Sequence, residues 1–111
     1  MASSKKNNEN ENIVKGRTKS GIKFQIDKRI TEDNRAMYFV RNMRKYKDSE
    51  DTEEKLKVTD AVYSLLELIF GSGDGLMIFM NEVALKHNGV ADSVSLMKEL
   101  TDIFEACNLK N

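Results

Sequence analysis

A mainly α fold, a small four-helix domain entered through a short N-terminal β-strand or hairpin, is predicted by three observations on this 111-residue chain. Four stretches carry apolar residues at helical spacing, each bounded by a start or stop signal. One stretch, Ser20 to Asp27, alternates apolar and polar residues at the period of a half-buried strand. Proline is absent throughout, so nothing forces a kink in the helices.

Residues 1–12, MASSKKNNENEN, are Ser, Lys, Asn and Glu with almost no apolar content. They bury too little to offset the entropy of ordering and predict a disordered tail, leaving residues 13–111 as a single helical domain. In SGIKFQID, Ile22, Phe24 and Ile26 point to one face. A lone strand leaves its backbone groups unpaired, so it requires a partner: Ile13 to Thr18 returning as a hairpin over about 13–27 with a turn near Lys19 to Gly21, or another subunit.

Thr31 offers an N-cap for a first helix over about 32–47, with Glu32 and Asp33 at the positive end of its dipole. Ala36, Met37, Phe39, Val40, Met43 and Tyr46 share a face; Arg35, Arg41, Arg44, Lys45 and Lys47 make the remainder basic. Asp51 and Glu54 resemble a capping box that opens a second helix over about 52–70, with Gly71 as its stop. Its apolar arc is wide, and Lys57, Asp60, Ser64 and Glu67 form only a narrow polar stripe.

Ser72 or Asp74 can cap a third helix over about 75–87, with Leu76, Met77, Phe79, Met80, Val83 and Ala84 inward and Asn88-Gly89 as its end. A fourth, over about 92–108, turns Val94, Leu96, Met97, Leu100, Ile103, Phe104 and Cys107 to the core and Ser95, Lys98, Glu99, Asp102 and Glu105 to water.

The 18 basic and 18 acidic residues cancel, which argues against a nucleic-acid or membrane protein on charge alone. Their distribution is uneven: residues 1–35 hold nine basic and five acidic side chains, and the rest nine and thirteen. No apolar run approaches a membrane span, and the first residues lack the apolar region of a signal peptide, which predicts a cytoplasmic protein. A single cysteine, Cys107, excludes an internal disulfide and falls on an apolar helix face, as a core residue would.

Three glycines within GSGDG, Gly71 to Gly75, raise the question of a phosphate loop. Such loops follow a strand and open a helix, whereas these glycines follow a helix, place Asp74 where a phosphate would sit and lack a GK[ST] continuation. They read as a joint between helices. His87, the only histidine, closes a helix with no second His or Cys beside it, which suits a dipole-stabilised cation better than a metal ligand. The acidic run Asp48 to Glu54 lacks the ligand order of a calcium loop, and no base or nucleophile accompanies Asp60 and Glu67. With no catalytic constellation, cofactor motif or metal set, the chain is expected not to be an enzyme.

The second helix carries more apolar surface than one neighbour needs, and Ile78 with Leu85 adds a ridge on the third helix opposite its main face. Two readings stand side by side: a central helix flanked on several sides, or a partner-binding surface of Leu65, Leu68, Ile69, Ile78 and Leu85. Six methionines supply deformable contact area.

The succession TKSGIKFQIDKRITEDNRAMYFVRNM, LLELIFGSGDG, LMIFMNEVALKHNGVAD and VSLMKELTDIFEACN, from Thr18 to Asn108, resembles the small tail assembly chaperones of long-tailed, siphovirus-like bacteriophages of Gram-positive hosts. The resemblance implies a non-enzymatic chaperone that binds the tape measure protein in the host cytoplasm, self-associates, and helps tail tube protein polymerise. It further implies absence from the mature virion and, in many members, a longer frameshifted form. The Lys/Asn-rich front and the basic first helix depart from the family pattern. A different class, a small helical DNA-binding regulator using Arg35, Arg41, Arg44 and Lys45, fits less well, because no helix-turn-helix spacing accompanies those charges. A head-tail connector or toxin-neutralising partner is a third reading.

Overall fold

The computed structural model describes residues 11–109. In order they form strands β1 (Ile13–Arg17) and β2 (Lys23–Asp27), a 3-10 turn (Lys28–Glu32), and helices α1 (Asn34–Tyr46), α2 (Thr52–Phe70), α3 (Asp74–Lys86) and α4 (Ser93–Leu109). The mainly helical fold with an N-terminal hairpin is therefore as the sequence predicts. The predicted disordered tail, residues 1–12, lies outside the described residues except for Glu11 and Asn12. These two form a turn, and the Asn12 carbonyl accepts the Lys28 N–H at 2.7 Å, extending the hairpin's pairing.

The strand finds its partner within the chain: β1 and β2 pair antiparallel, Ile13 opposite Asp27 through Arg17 opposite Lys23. Val14, Phe24 and Ile26 point inward, while Lys15, Arg17, Lys23 and Gln25 point out, as the alternation requires. Gly16 stands opposite Phe24, whose ring covers it; a Cβ there would lie 3.1 Å from Cζ of the ring. Thr18 closes the turn with three bonds: its N–H donates to Ile22, its carbonyl accepts from Gly21, and its hydroxyl accepts the Ile22 N–H. Gly21 supplies the positive φ of 92° that this turn needs.

The first helix starts two residues later than Thr31 predicts. Asp27 caps the 3-10 turn by accepting the Arg29 N–H at 3.0 Å, and Asp33 caps α1 by accepting the Arg35 N–H at 2.8 Å. Thr31 is absorbed in the turn, donating its hydroxyl to the Lys28 carbonyl. Each arginine folds its guanidinium back onto its capping aspartate, so the Asp-x-Arg device occurs twice in succession.

The helix α2 has the predicted bounds but not the predicted cap. Ser49 replaces the box: its hydroxyl donates to the Glu54 carboxylate and accepts the Asp51 N–H, and the Asp51 side chain makes no capping bond. At the other end Gly71, at φ 77°, donates its N–H to the Glu67 carbonyl. Neither Ser72 nor Asp74 caps α3; Gly73 holds that position and Asp74 becomes the first helical residue, near the dipole's positive end. Across this joint Phe70 and Phe79 stack with centroids 4.4 Å apart, folding α3 back onto the end of α2. Asn88 and Gly89 stop α3 as predicted, both with positive φ, and the Gly89 N–H reaches back to the Ala84 carbonyl at 2.7 Å. Asp92 then caps α4 through the Ser95 N–H at 2.8 Å.

The described residues bury one contiguous apolar core, with Val62, Leu65, Leu66, Val83, Leu96, Leu100 and Ile103 at its centre and the hairpin's Ile22 and Ile26 closing one side. α1 packs chiefly along α2, and α4 meets α2, α3, β1 and the 3-10 turn. Five sequence assignments fail here. Met37, Met77 and Val94 are 56 %, 54 % and 71 % exposed, since each lies at the margin of its helix's apolar arc. Glu99 and Asp102, assigned to water, are buried. Their carboxylates carry the hairpin turn.

Candidate functional site

Of the five residues proposed as a partner surface, only two lie on one open face. Ile78 and Leu85 are 62 % and 77 % exposed on α3, seven residues apart and so on one side of the helix. Met77 joins them, making a ridge of three large apolar side chains. Leu65 does not belong to that surface: its side chain is completely buried, lying beneath the groove between α1 and α4, away from the open face of α3. Leu68 and Ile69 are half-buried against the core. The wide apolar arc of α2 is thus used mainly inside the fold, as the central-helix reading required.

Ile78 also forms one wall of a cleft of about 610 Å³ between the hairpin and α3, floored by Phe24, Phe70 and Phe79 and rimmed by Lys15, Arg17 and Lys23. The GSGDG joint contributes Gly75 to this wall. A Cβ at Gly75 would lie 3.2 Å from the Phe70 carbonyl, so this glycine serves close backbone approach. A separate groove of about 480 Å³ runs between α1 and α4, with the buried Leu65 and Leu100 at its bottom.

A buried polar cluster was not foreseen. Glu99, fully buried on α4, directs Oε2 to the Ser20 hydroxyl at 2.8 Å and to His87 Nε2 at 2.7 Å. One turn on, Asp102 Oδ2 accepts the Lys19 N–H at 3.0 Å. The two carboxylates pin the hairpin turn to α4. Burial opposes the charge on Glu99, but the Thr18 hydroxyl, His87 and Ser20 outweigh it and hold the carboxyl below its ordinary range. Glu99 Oε1 has no partner in hydrogen-bond geometry; the Thr18 hydroxyl beside the carboxylate accepts the Ile22 N–H and keeps its own hydrogen to donate.

Serine, histidine and a carboxylate in contact invite comparison with a nucleophilic triad, and their order rules it out. In a triad the imidazole sits between hydroxyl and acid, so that it can take the hydroxyl proton. Here the carboxylate sits in the middle and Ser20 bonds to it directly, leaving the imidazole no route to the serine proton. His87 therefore serves as a hydrogen-bond donor at the C-terminal end of α3, where the sequence places it, with a specific buried acceptor in Glu99.

The remaining candidates resolve simply. Cys107 is fully buried, and burial pushes its thiol up, away from the reactive thiolate. Among the described residues no three His, Cys, Asp or Glu side chains gather where a metal could sit, and no helix is long and apolar enough to cross a membrane. Arg35, placed in the basic face of the first helix, is bound to Asp33 at 2.8 Å, which holds that carboxyl at about 2. Comparison with family models, with curated proteins and with solved structures finds no match to this chain.

Proposed function

We propose that this protein is a non-enzymatic binding module, acting as a tail assembly chaperone that holds a phage tape measure protein in the host cytoplasm while tail tube protein polymerises around it. The observation that carries the binding reading is the ridge of Met77, Ile78 and Leu85, exposed on a helix whose opposite face is fully committed to the core through Phe79 and Val83. Three large apolar side chains on one solvated face lose stabilisation in water that a partner helix restores, at about 25 cal/mol per Å² covered. The client is assigned on the resemblance of Thr18 to Asn108 to tail assembly chaperones.

Mechanistically, α3 presents apolar anchors two turns apart to the apolar stripe of a client helix. Covering that stripe keeps a long helical client from aggregating with its own kind. The test is co-expression with a candidate tape measure protein, measuring the soluble fraction of the client. Wild-type protein is expected to keep it soluble, and the double variant Ile78→Asp with Leu85→Asp to lose that effect while keeping its circular dichroism spectrum. A folded double variant that still solubilises the client places binding elsewhere, and an insoluble client with wild-type protein ends the chaperone reading.

A further inference from the structure

The groove between α1 and α4 joins an apolar lining to a row of cations carried by its two helices. Its apolar lining is formed by Val40 and Met43 from α1 and by Met97 and Phe104 from α4. An adjoining hollow, sharing Val40, Arg44 and Phe104, extends it towards the exposed Met37. Five cations stand along these two hollows, Arg41, Arg44 and Lys45 from α1, Lys47 directly after it and Lys98 from α4, beside one carboxylate, Glu105, which pairs with Lys19. All five are exposed, and none forms an ion pair among the described residues. Three other cations are paired, Arg29 and Arg35 each with an aspartate and Lys19 with Glu105, whereas Lys15, Arg17 and Lys23 along the hairpin are exposed and form no ion pair among the described residues.

We propose that this groove binds an acidic amphipathic helix of a partner protein. The walls are two helices and the floor is a third, so an incoming helix completes a bundle, laying apolar residues spaced i, i+3 or i+4, i+7 onto Val40, Met43, Met97 and Phe104. Asp and Glu flanking that stripe meet the cations on both banks, which gives the site its sign and its attraction at a distance. The methionines fit an occupant whose anchors vary in shape. Duplex DNA answers the charge but not the lining: phosphates over these cations would leave the methionines and Phe104 with no apolar partner. The inference stands apart from the chaperone reading, because it concerns a different face and a charged partner.

The test uses the full chain and a fluorescein-labelled designed peptide of about 18 residues, five helical turns, with leucines at i, i+3, i+4 and i+7 and glutamates flanking them. Binding is followed by fluorescence anisotropy and located by amide chemical shifts. The acidic peptide is expected to bind saturably, a counterpart with lysine in place of glutamate not to bind, and shifts to centre on Val40, Met43, Met97 and Phe104. Reversing two exposed bank charges, Arg44→Glu with Lys98→Glu, should weaken the acidic peptide by about tenfold without unfolding the protein. Absence of saturable binding, equal binding of both peptides, shifts centred on α3, or displacement of the peptide by a short duplex DNA each overturns the proposal. So does a dimer, seen by sedimentation, that the same two reversals dissociate, since the groove would then belong to a second copy.

Discussion

His87 Nε2 lies 2.7 Å from Glu99 Oε2, joining the last turn of α3 to the middle of α4 at a point where the Ser20 hydroxyl also arrives. An ionised carboxylate only accepts, so His87 carries its hydrogen on Nε2. The contact therefore fixes both the imidazole's tautomer and the position of the hairpin turn. Removing the imidazole leaves a buried carboxylate short of a donor. His87→Ala is expected to cost about 2 kcal/mol, the value of a hydrogen bond to a charged group, read as a lowered urea midpoint with unchanged slope. A midpoint equal to wild type would show that water replaces the histidine freely.

The same cluster sets an acid limit. The folded Glu99 carboxyl lies below its ordinary value of 4.5, so the folded state binds fewer protons than the unfolded state as pH falls. Its stabilisation is complete above the unfolded value and is lost as pH drops through the folded one. Asp27, Asp33 and Asp92 add in the same direction, held down by Arg29, Arg35 and the Ser95 N–H respectively. Urea midpoints should therefore fall between about pH 5 and pH 2, and fall less steeply in Glu99→Gln, which is less stable at neutral pH. An identical slope in the variant would remove Glu99 from this account.

The two glycines of the α2–α3 joint that have open space around them make a contrasting pair. Nothing lies within 4 Å of a Cβ at either Gly71 or Gly73, so packing cannot distinguish them. Backbone does: Gly71 sits at φ 77° and Gly73 at −109°. Gly71→Ala is expected to destabilise by about 1 kcal/mol or more, and Gly73→Ala to be neutral or to stabilise by a few tenths through the unfolded chain. Equal thermal midpoints for the two variants would contradict the assignment of Gly71 as the helix stop.

Gly16 tests the hairpin in the opposite way, since its φ is ordinary and its space is not. The Phe24 ring lies across it, and Gly16→Ala must push that buried ring aside by a few tenths of an ångström. A loss of about 1 kcal/mol is expected, growing for Gly16→Val. Pairing each with Phe24→Leu in a double-mutant cycle checks the cause, because the penalty of Gly16→Ala should shrink when the ring is gone.

What could be read from the sequence follows a physical division. Ile22, Phe24 and Ile26 mark their strand because a sheet with one buried face imposes strict alternation, and the α2 stop is legible because Gly71 acts within a turn of the backbone it satisfies; the α2 start falls where Asp51 predicts, although Ser49 and not the Asp51 side chain makes the bonds there. The α1 start was misplaced by two residues because Thr31 and Asp33 are both competent caps; the 3-10 turn that decides between them depends on Asp27 and Arg29 closing on each other. Glu99 and Asp102 were beyond reach for a different reason. Their partners, Ser20 and the Lys19 N–H, are 79 and 83 residues away in the chain, and a helical wheel records only local neighbours. The α3 ridge was legible in Ile78 and Leu85 but not in Met77, which sits at the edge of the inward arc, where burial depends on the reach of the neighbouring helix.

Leu65 and Leu85 were assigned to one surface and now separate into two classes. Leu65→Ala opens a cavity among α1, α2 and α4 and is expected to cost about 2–5 kcal/mol. Leu85→Ala removes a side chain that is mostly in water and should stay within about 0.5 kcal/mol of wild type. Denaturant unfolding of the two variants measures this directly. A costly Leu85→Ala in the isolated protein would mean that its side chain is covered in solution, as in a self-associated form.

Cys107 provides a probe of how firmly α4 is held near its end. The thiol is fully buried and its pKa is raised by that burial, so both access and thiolate fraction oppose reaction. Modification by a disulfide reagent at neutral pH must then wait for local or global opening, and the native protein should react on the order of a hundredfold more slowly than the protein in denaturing urea. Leu65→Ala, by lowering global stability, should speed the native reaction, whereas Leu85→Ala should not. A native rate matching the unfolded one would show that the last turns of α4 separate from the core in solution, and would loosen the floor on which Phe104 stands.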